Sequence, residues 1–97
     1  MDSAFDLRLD PSIVSRVDLL GRLTELAQSA HAALPAGPLE ITARLLQIMN
    51  REFIALEFTS ASRTFGLELT KRDLGNLWRI QKRIARAWHS APTRQSA

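Results

Sequence analysis

The chain of 97 residues contains no cysteine and no tyrosine, and only 6% of its residues are aromatic. The lack of cysteine excludes disulfide scaffolds, thiolate metal sites and cysteine nucleophiles. No stretch approaches the roughly 18 apolar residues that a membrane-spanning helix needs. Residues 1–6 lack the long apolar run of a secretory signal. From these absences we expect a soluble, cytoplasmic protein without a transmembrane segment.

The rest of the composition is that of an ordinary globular domain, with 45% apolar and 24% charged residues. The length predicts one domain, which we place at residues 1–89, followed by a flexible tail at 90–97. A chain of this size buries only about 60–65% of its unfolded surface. Because such a core is thin, we expect association into a homodimer, which buries more apolar surface.

The first half of the chain predicts one strand followed by two helices. Apolar and polar residues alternate over Phe5–Leu9, which indicates a half-buried strand. Asp10 and Pro11 favour a helix start, because the Asp side chain accepts hydrogen bonds from unpaired backbone N–H groups and Pro has no backbone N–H that would be left unpaired. The apolar stripe of this helix contains Ile13, Val17, Leu20, Leu23, Ala27, Ala30 and Leu34. After a connector rich in Pro and Gly, residues 38–50 predict a second helix, with Asn50 as its C-cap.

Residues 53–69 predict a β-hairpin, because one register places six apolar side chains on a single face. That register pairs Phe58 with Phe65, Leu56 with Leu67, and Ile54 with Leu69. The alternative is a continuous helix, since some of these residues also recur at steps of three and four. Poor helix formers such as Gly66 oppose it. Thr70 and Asp73 then predict the capping box of a last helix, which extends to His89.

Together these elements predict an α+β fold in the order β-α-α-β-β-α, with a three-stranded antiparallel sheet and helices on one face. The other face of the sheet is expected to carry charged residues, namely Asp6, Arg8, Glu57 and Glu68. If residues 53–69 are helical instead, the fold is an all-α helical hairpin plus a C-terminal helix.

The helical alternative has a parallel among known proteins. Residues 37–40 (Gly-Pro-Leu-Glu), leading into Leu45, Leu46 and Gln47, resemble the turn and second helix of the small hairpin subunits of type III secretion needles and inner rods. The resemblance covers about half of the chain. It implies a nearly all-helical subunit of a structural assembly.

Charge is divided unequally along the chain. Residues 1–70 hold six arginines and nine acidic residues, whereas residues 71–97 hold seven basic residues and one acidic residue. On a helix that starts at Thr70, six basic side chains fall within an arc of about 120° that contains no acid. They are Lys71, Arg72, Arg79, Lys82, Arg83 and Arg86. Helix stability alone favours mixed signs on one face, because like charges one turn apart repel.

This basic face predicts an anionic partner, and nucleic acid is the first expectation because arginine forks bind phosphate oxygens. The alternatives are a solvated face, a membrane surface, and an acidic protein surface in an adaptor or assembly role. The membrane alternative is disfavoured because the apolar stripe of this helix is assigned to the core. That stripe contains Leu74, Leu77, Trp78, Ile84 and Trp88. Stacking on bases is not expected, since the phenylalanines are also assigned to the core.

Residues for catalysis or metal binding are scarce. His31 and His89 are the only histidines, and His31 has no carboxylate or second histidine one helical turn away to share a metal. Glu57 and Glu68 are expected on the outer face of the hairpin, where carboxylates are ordinarily solvated. No phosphate-binding glycine loop or nucleophile–base arrangement is visible. We therefore expect a non-enzymatic binding or regulatory module without a metal, a cofactor or catalytic residues.

Overall fold

The computed structural model describes residues 5–34, 38–60 and 63–92. Within these ranges it contains four strands, one short and two long helices, and a single 3₁₀ turn. Their bounds are Phe5–Leu9 (β1), Pro11–Val14 (α1), Val17–Ala33 (α2), Leu39–Ile48 (β2), Arg51–Ser60 (β3), Arg63–Leu69 (β4), Asp73–Gly75 (the 3₁₀ turn) and Leu77–Ser90 (α3). Most of the predicted tail, residues 93–97, lies outside the described residues.

The four strands form one mixed sheet in the order β1-β2-β3-β4. β1 runs parallel to β2, and the other neighbouring pairs are antiparallel. α2 and α3 pack against each other, and the side-chain amide of Gln81 donates to the backbone carbonyl of Ser29 between them. The predicted α+β class is confirmed. The predicted three-stranded antiparallel sheet is wrong, because residues 39–48 form a fourth strand between β1 and β3.

The second predicted helix, over residues 38–50, is therefore wrong. Side chains alternate along β2, with Leu39, Ile41 and Ala43 buried and the residues between them exposed. This period of two matches the pleat of a strand. The backbone of β2 pairs with β3 along its whole length and with β1 over residues 39–43. These strands are incompatible with the all-α alternative and with the nearly all-helical subunit that the resemblance to secretion needles implied.

Asn50 does not cap a helix but lies with Met49 in the two-residue turn that joins β2 to β3. The φ angles of Met49 and Asn50 are 51° and 65°. Positive φ at both central residues is the requirement of a type I′ hairpin turn, whose twist matches that of the flanking strands. The turn thus allows β2 and β3 to pair along their whole length, from Ile48 and Arg51 onwards.

The predicted hairpin over residues 53–69 is confirmed, and its register is the predicted one. Phe58 pairs with Phe65, Leu56 with Leu67, and Ile54 with Leu69. The rings of Phe58 and Phe65 are stacked, with 5.0 Å between their centroids. The four charged residues predicted on the outer face of the sheet, Asp6, Arg8, Glu57 and Glu68, are all exposed. One face of the sheet therefore packs on the helices and the other carries charges.

The first predicted helix is divided into two helices. Asp10 accepts a hydrogen bond from the backbone N–H of Ser12 at 3.0 Å, and Pro11 begins α1 as predicted. The chain then interrupts the helix at Ser15 and Arg16, which changes the phase of the apolar stripe. Val17, predicted to be buried, is consequently 79% exposed. The residues of α2 that enter the core are Leu19, Leu23, Leu26, Ala27 and Ala30.

The last helix begins six residues later than a start at Lys71 implies. Thr70 and Asp73 do form the predicted reciprocal capping box. The backbone N–H of Thr70 donates to the Asp73 carboxylate, with 2.9 Å between nitrogen and oxygen, and the backbone N–H of Asp73 donates to the Thr70 hydroxyl, with 3.2 Å between them. The box closes only the 3₁₀ turn, and α3 starts at Leu77 with the Asn76 side chain accepting from the backbone N–H of Arg79. An interruption of the helix before Leu77 changes which of the following residues face the sheet.

The predicted core stripe of the last helix is correct in part. Leu74 and Ile84 are buried, and Leu77 and Trp88 pack partly buried against the core. Trp78 is 65% exposed, so its assignment to the core is wrong. Its place is taken by Ile80, which is buried together with Ile84. The two isoleucines are four residues apart and therefore lie on one side of α3.

Truncating a buried side chain of α3 and truncating an exposed one should lower the free energy of unfolding by different amounts. Ile84→Ala should lower the free energy of unfolding by about 2–5 kcal/mol, because it leaves a cavity in the core. Trp78→Ala should lower it by less than about 1 kcal/mol, because only an exposed contact is lost. Urea unfolding followed by circular dichroism measures both values. A cost of about 3 kcal/mol or more for Trp78→Ala would contradict the orientation of α3.

Candidate functional site

α3 carries basic side chains on the side that faces away from the sheet. Arg79, Lys82 and Arg86 are all exposed. They are three and four residues apart, so they line one side of the helix over about two turns. None of the three forms an ion pair with another residue in the described parts of the chain. We call Arg79, Lys82 and Arg86 the basic stripe.

The other three predicted site residues do not continue the basic stripe. The Arg83 guanidinium lies 3.9 Å from the Asp73 carboxylate, and its side chain is only 40% exposed. The Lys71 ammonium lies 2.7 Å from the Asp18 carboxylate. Lys71 and Arg72 both precede the 3₁₀ turn and are not on α3. The single arc of six cations is therefore wrong, because it requires a continuous helix from residue 71.

Lys71 and Arg72 instead border a small pocket beside the start of α2. The pocket encloses about 300 Å³ and is also lined by Asp18, Arg22 and Gly75. Hydrogen bonds from Lys71 and then Arg16 lower the pKa of the Asp18 carboxyl from 3.8 to about 2. Arg16 in turn reaches Glu52 on β3 at 3.0 Å. The ionised Asp18 thus neutralises one of the cations that border this pocket.

An exposed aromatic ring lies beside the basic stripe. The Lys82 ammonium is 3.8 Å from the centroid of the Trp78 ring, which is the distance of a cation–π contact. Trp88, by contrast, is partly buried, and the guanidinium of Arg63 covers its ring at 4.2 Å. The sequence carries a signal for the first contact, since Trp78 and Lys82 are separated by four residues. The prediction that Trp78 lies in the core does not use that signal.

The outer face of the sheet forms a shallow depression of about 840 Å³. Its floor includes the small residues Ala55 and Gly66, and its rim includes Arg44, Glu57 and Glu68. Arg83 reaches this depression from α3. The rim mixes both signs of charge, so it offers no uniform field to a charged ligand.

The histidines are separate from these surfaces. His31 is half-buried, and its ring centroid lies 6.3 Å from that of Phe5. His89 is exposed near the end of α3, where its ring meets the edge of Trp88. Within residues 5–34, 38–60 and 63–92, no three His, Asp or Glu side chains form a group that could hold a metal ion.

Comparison with known protein families, with curated proteins and with solved structures finds no match to this chain. In the parts of the chain that the structure describes, no helix is long and apolar enough to cross a membrane. The basic stripe and its surroundings are therefore the features of this chain that bear on its function.

The ion pair of Asp18 with Lys71 predicts a specific pH dependence. Because folding lowers the pKa of Asp18 to about 2, its ionised form stabilises the fold fully above its unfolded pKa of about 4. This stabilisation is lost as the pH falls through 2. Asp18→Asn should therefore reduce the free energy of unfolding at pH 6, and the difference from the wild type should shrink toward pH 2. Urea unfolding of both proteins between pH 6 and pH 2 measures this difference in the free energy of unfolding. A difference that does not change with pH would contradict the ion pair.

Proposed function

We propose that this protein is a small, non-enzymatic module that binds nucleic acid through the basic stripe of α3. The main support for this proposal is that three exposed cations line one side of a helix, with no carboxylate paired to them in the described residues. Two of the three are arginines, whose planar guanidinium groups match phosphate oxygens in a bidentate manner.

The sign pattern supports a partner with many negative charges. Like charges one turn apart cost a helix a few tenths of a kcal/mol each. Asp73 is the last acidic residue of the sequence, so α3 contains no carboxylate of its own to offset this cost. A polyanion offsets it by supplying phosphates along the helix and by releasing its condensed counterions.

The length of the basic stripe also favours a polymer over a single small anion. Seven residues separate Arg79 from Arg86, which corresponds to a rise of about 10 Å along the helix. One phosphate ion contacts only a few donors within hydrogen-bond distance. A nucleic-acid backbone repeats its charge along its length, so it reaches all three side chains.

Salt dependence and charge reversal test the proposal together. Three phosphate contacts predict that affinity for mixed-sequence DNA or RNA falls about 20- to 40-fold between 50 and 200 mM salt. Reversing two of the three charges in Arg79→Glu/Arg86→Glu should weaken binding about 100-fold or more, because two charge-assisted hydrogen bonds are lost. Fluorescence anisotropy of labelled oligonucleotides measures both effects.

The matched control is Arg44→Glu/Arg51→Glu, which reverses two exposed arginines of the sheet at the same sequence spacing. It changes the net charge by the same amount and should retain most of the affinity. No binding at 50 mM salt would contradict the proposal and direct attention to an acidic protein partner. An equal loss in the control would show that net charge, not the basic stripe, determines binding.

A further inference from the structure

Trp78 is the large aromatic side chain that α3 leaves in solvent. It is 65% exposed, whereas its neighbours Leu77 and Ile80 are partly and fully buried. An indole ring on the surface forgoes the stabilisation that burial of its apolar area would give. The residues that α3 buries in the core are Ile80 and Ile84. The ring is therefore available to a partner.

The ring belongs to the same surface as the basic stripe. Lys82 is a member of the stripe, and its ammonium lies over the Trp78 ring at 3.8 Å. Arg86 follows Lys82 after one further turn, so the ring and two cations succeed one another over about 12 Å along the helix.

An aromatic ring alongside cations is suited to an unpaired base. In a duplex both faces of an internal base are covered by its neighbours, so a ring on a protein surface contacts only the backbone or groove edges. A base in a single strand exposes its π-face and stacks on an aromatic side chain, whatever its identity. Cations beside the ring then contact neighbouring phosphates.

We infer that the basic stripe binds single-stranded nucleic acid, with Trp78 stacked on one unpaired base. On binding, the base takes the place of Lys82 over the ring, and the Lys82 ammonium contacts a neighbouring phosphate. This inference rests on the proposed function, because it names the substrate class of the same surface. DNA and RNA single strands share the chemistry that the ring and the cations recognise.

The test compares three labelled ligands of equal length: oligo-dT, oligo-U and a blunt DNA duplex. Trp78→Leu removes the aromatic ring and keeps an apolar side chain. It should weaken binding of both single strands about tenfold and change the affinity for the duplex less than twofold. Trp78→Phe should retain most of the single-strand affinity. Met49→Ala, which truncates an exposed apolar side chain of the β2–β3 turn, is the control and should change neither affinity.

A second readout reports on the ring itself. The chain has two tryptophans, so Trp88→Phe leaves Trp78 as the single fluorophore. Its emission should be quenched when oligo-dT saturates the protein, and it should remain unchanged with the duplex. Circular dichroism of Trp88→Phe verifies that the fold is retained, and selective loss of single-strand affinity in Trp78→Leu tests the same stacking without that variant.

Failure of this inference can be distinguished from failure of the proposed function. If Trp78→Leu weakens the binding of single strands and of the duplex equally, or weakens neither, the inference is wrong. Loss of nucleic-acid binding in Arg79→Glu/Arg86→Glu would still support the proposed function. Weaker binding of both oligo-U and oligo-dT by Trp78→Leu, with the duplex unaffected, supports the inference. If no nucleic acid binds at low salt but vesicles containing phosphatidylserine do, and Trp78→Leu abolishes that binding, both are wrong and the partner is an anionic membrane surface.

Discussion

The burial of Ile80 and Ile84 fixes the rotation of α3 on the sheet, and the candidate site depends on that rotation. Successive residues of an α-helix are turned by about 100°, so residues two positions from a buried one lie near the opposite side. Trp78, Lys82 and Arg86 have that relation to the two isoleucines, and all three are exposed. The same packing that stabilises the domain thus exposes Lys82 and Arg86 on the outer side of α3.

The interruption of the chain before α3 is the second determinant of the site. The capping box of Thr70 and Asp73 ends at a 3₁₀ turn, and Asn76 begins a new helix. Lys71 is thereby directed to Asp18, while Asp73 lies near Arg83. Two of the six cations that the sequence places together are neutralised in this way. The three on the outer side of α3 have no such partner among the described residues.

Much of the fold could be predicted from the sequence where local pattern and tertiary contact agree. The hairpin of β3 and β4 has one register that places six apolar side chains on a single face, and that register is observed. Asp10 and Pro11 likewise mark a helix start whose chemistry is local. In both cases the nearest neighbours in the chain supply most of the information.

The wrong predictions arise where tertiary contacts decide between two secondary structures that the local sequence pattern allows equally. Residues 41–49 satisfy both a helical and a strand period, and pairing with β1 and β3 selects the strand. The prediction that Trp78 is a core residue assumes one continuous helix from Lys71, but the chain interrupts that helix before Leu77. Hydrophobicity alone also ranks Trp78 with Ile80, although only Ile80 is buried.

Chemical-shift mapping tests most directly whether the outer side of α3 is the binding surface. In a titration of the ¹⁵N-labelled protein with oligo-dT, the largest changes should occur at the indole N–H of Trp78 and at the backbone amides of Arg79, Lys82 and Arg86. The amides of Ala55 and Gly66, which line the depression on the outer sheet face, should remain unchanged. Changes concentrated on Ala55 and Gly66, with α3 unaffected, would contradict the account.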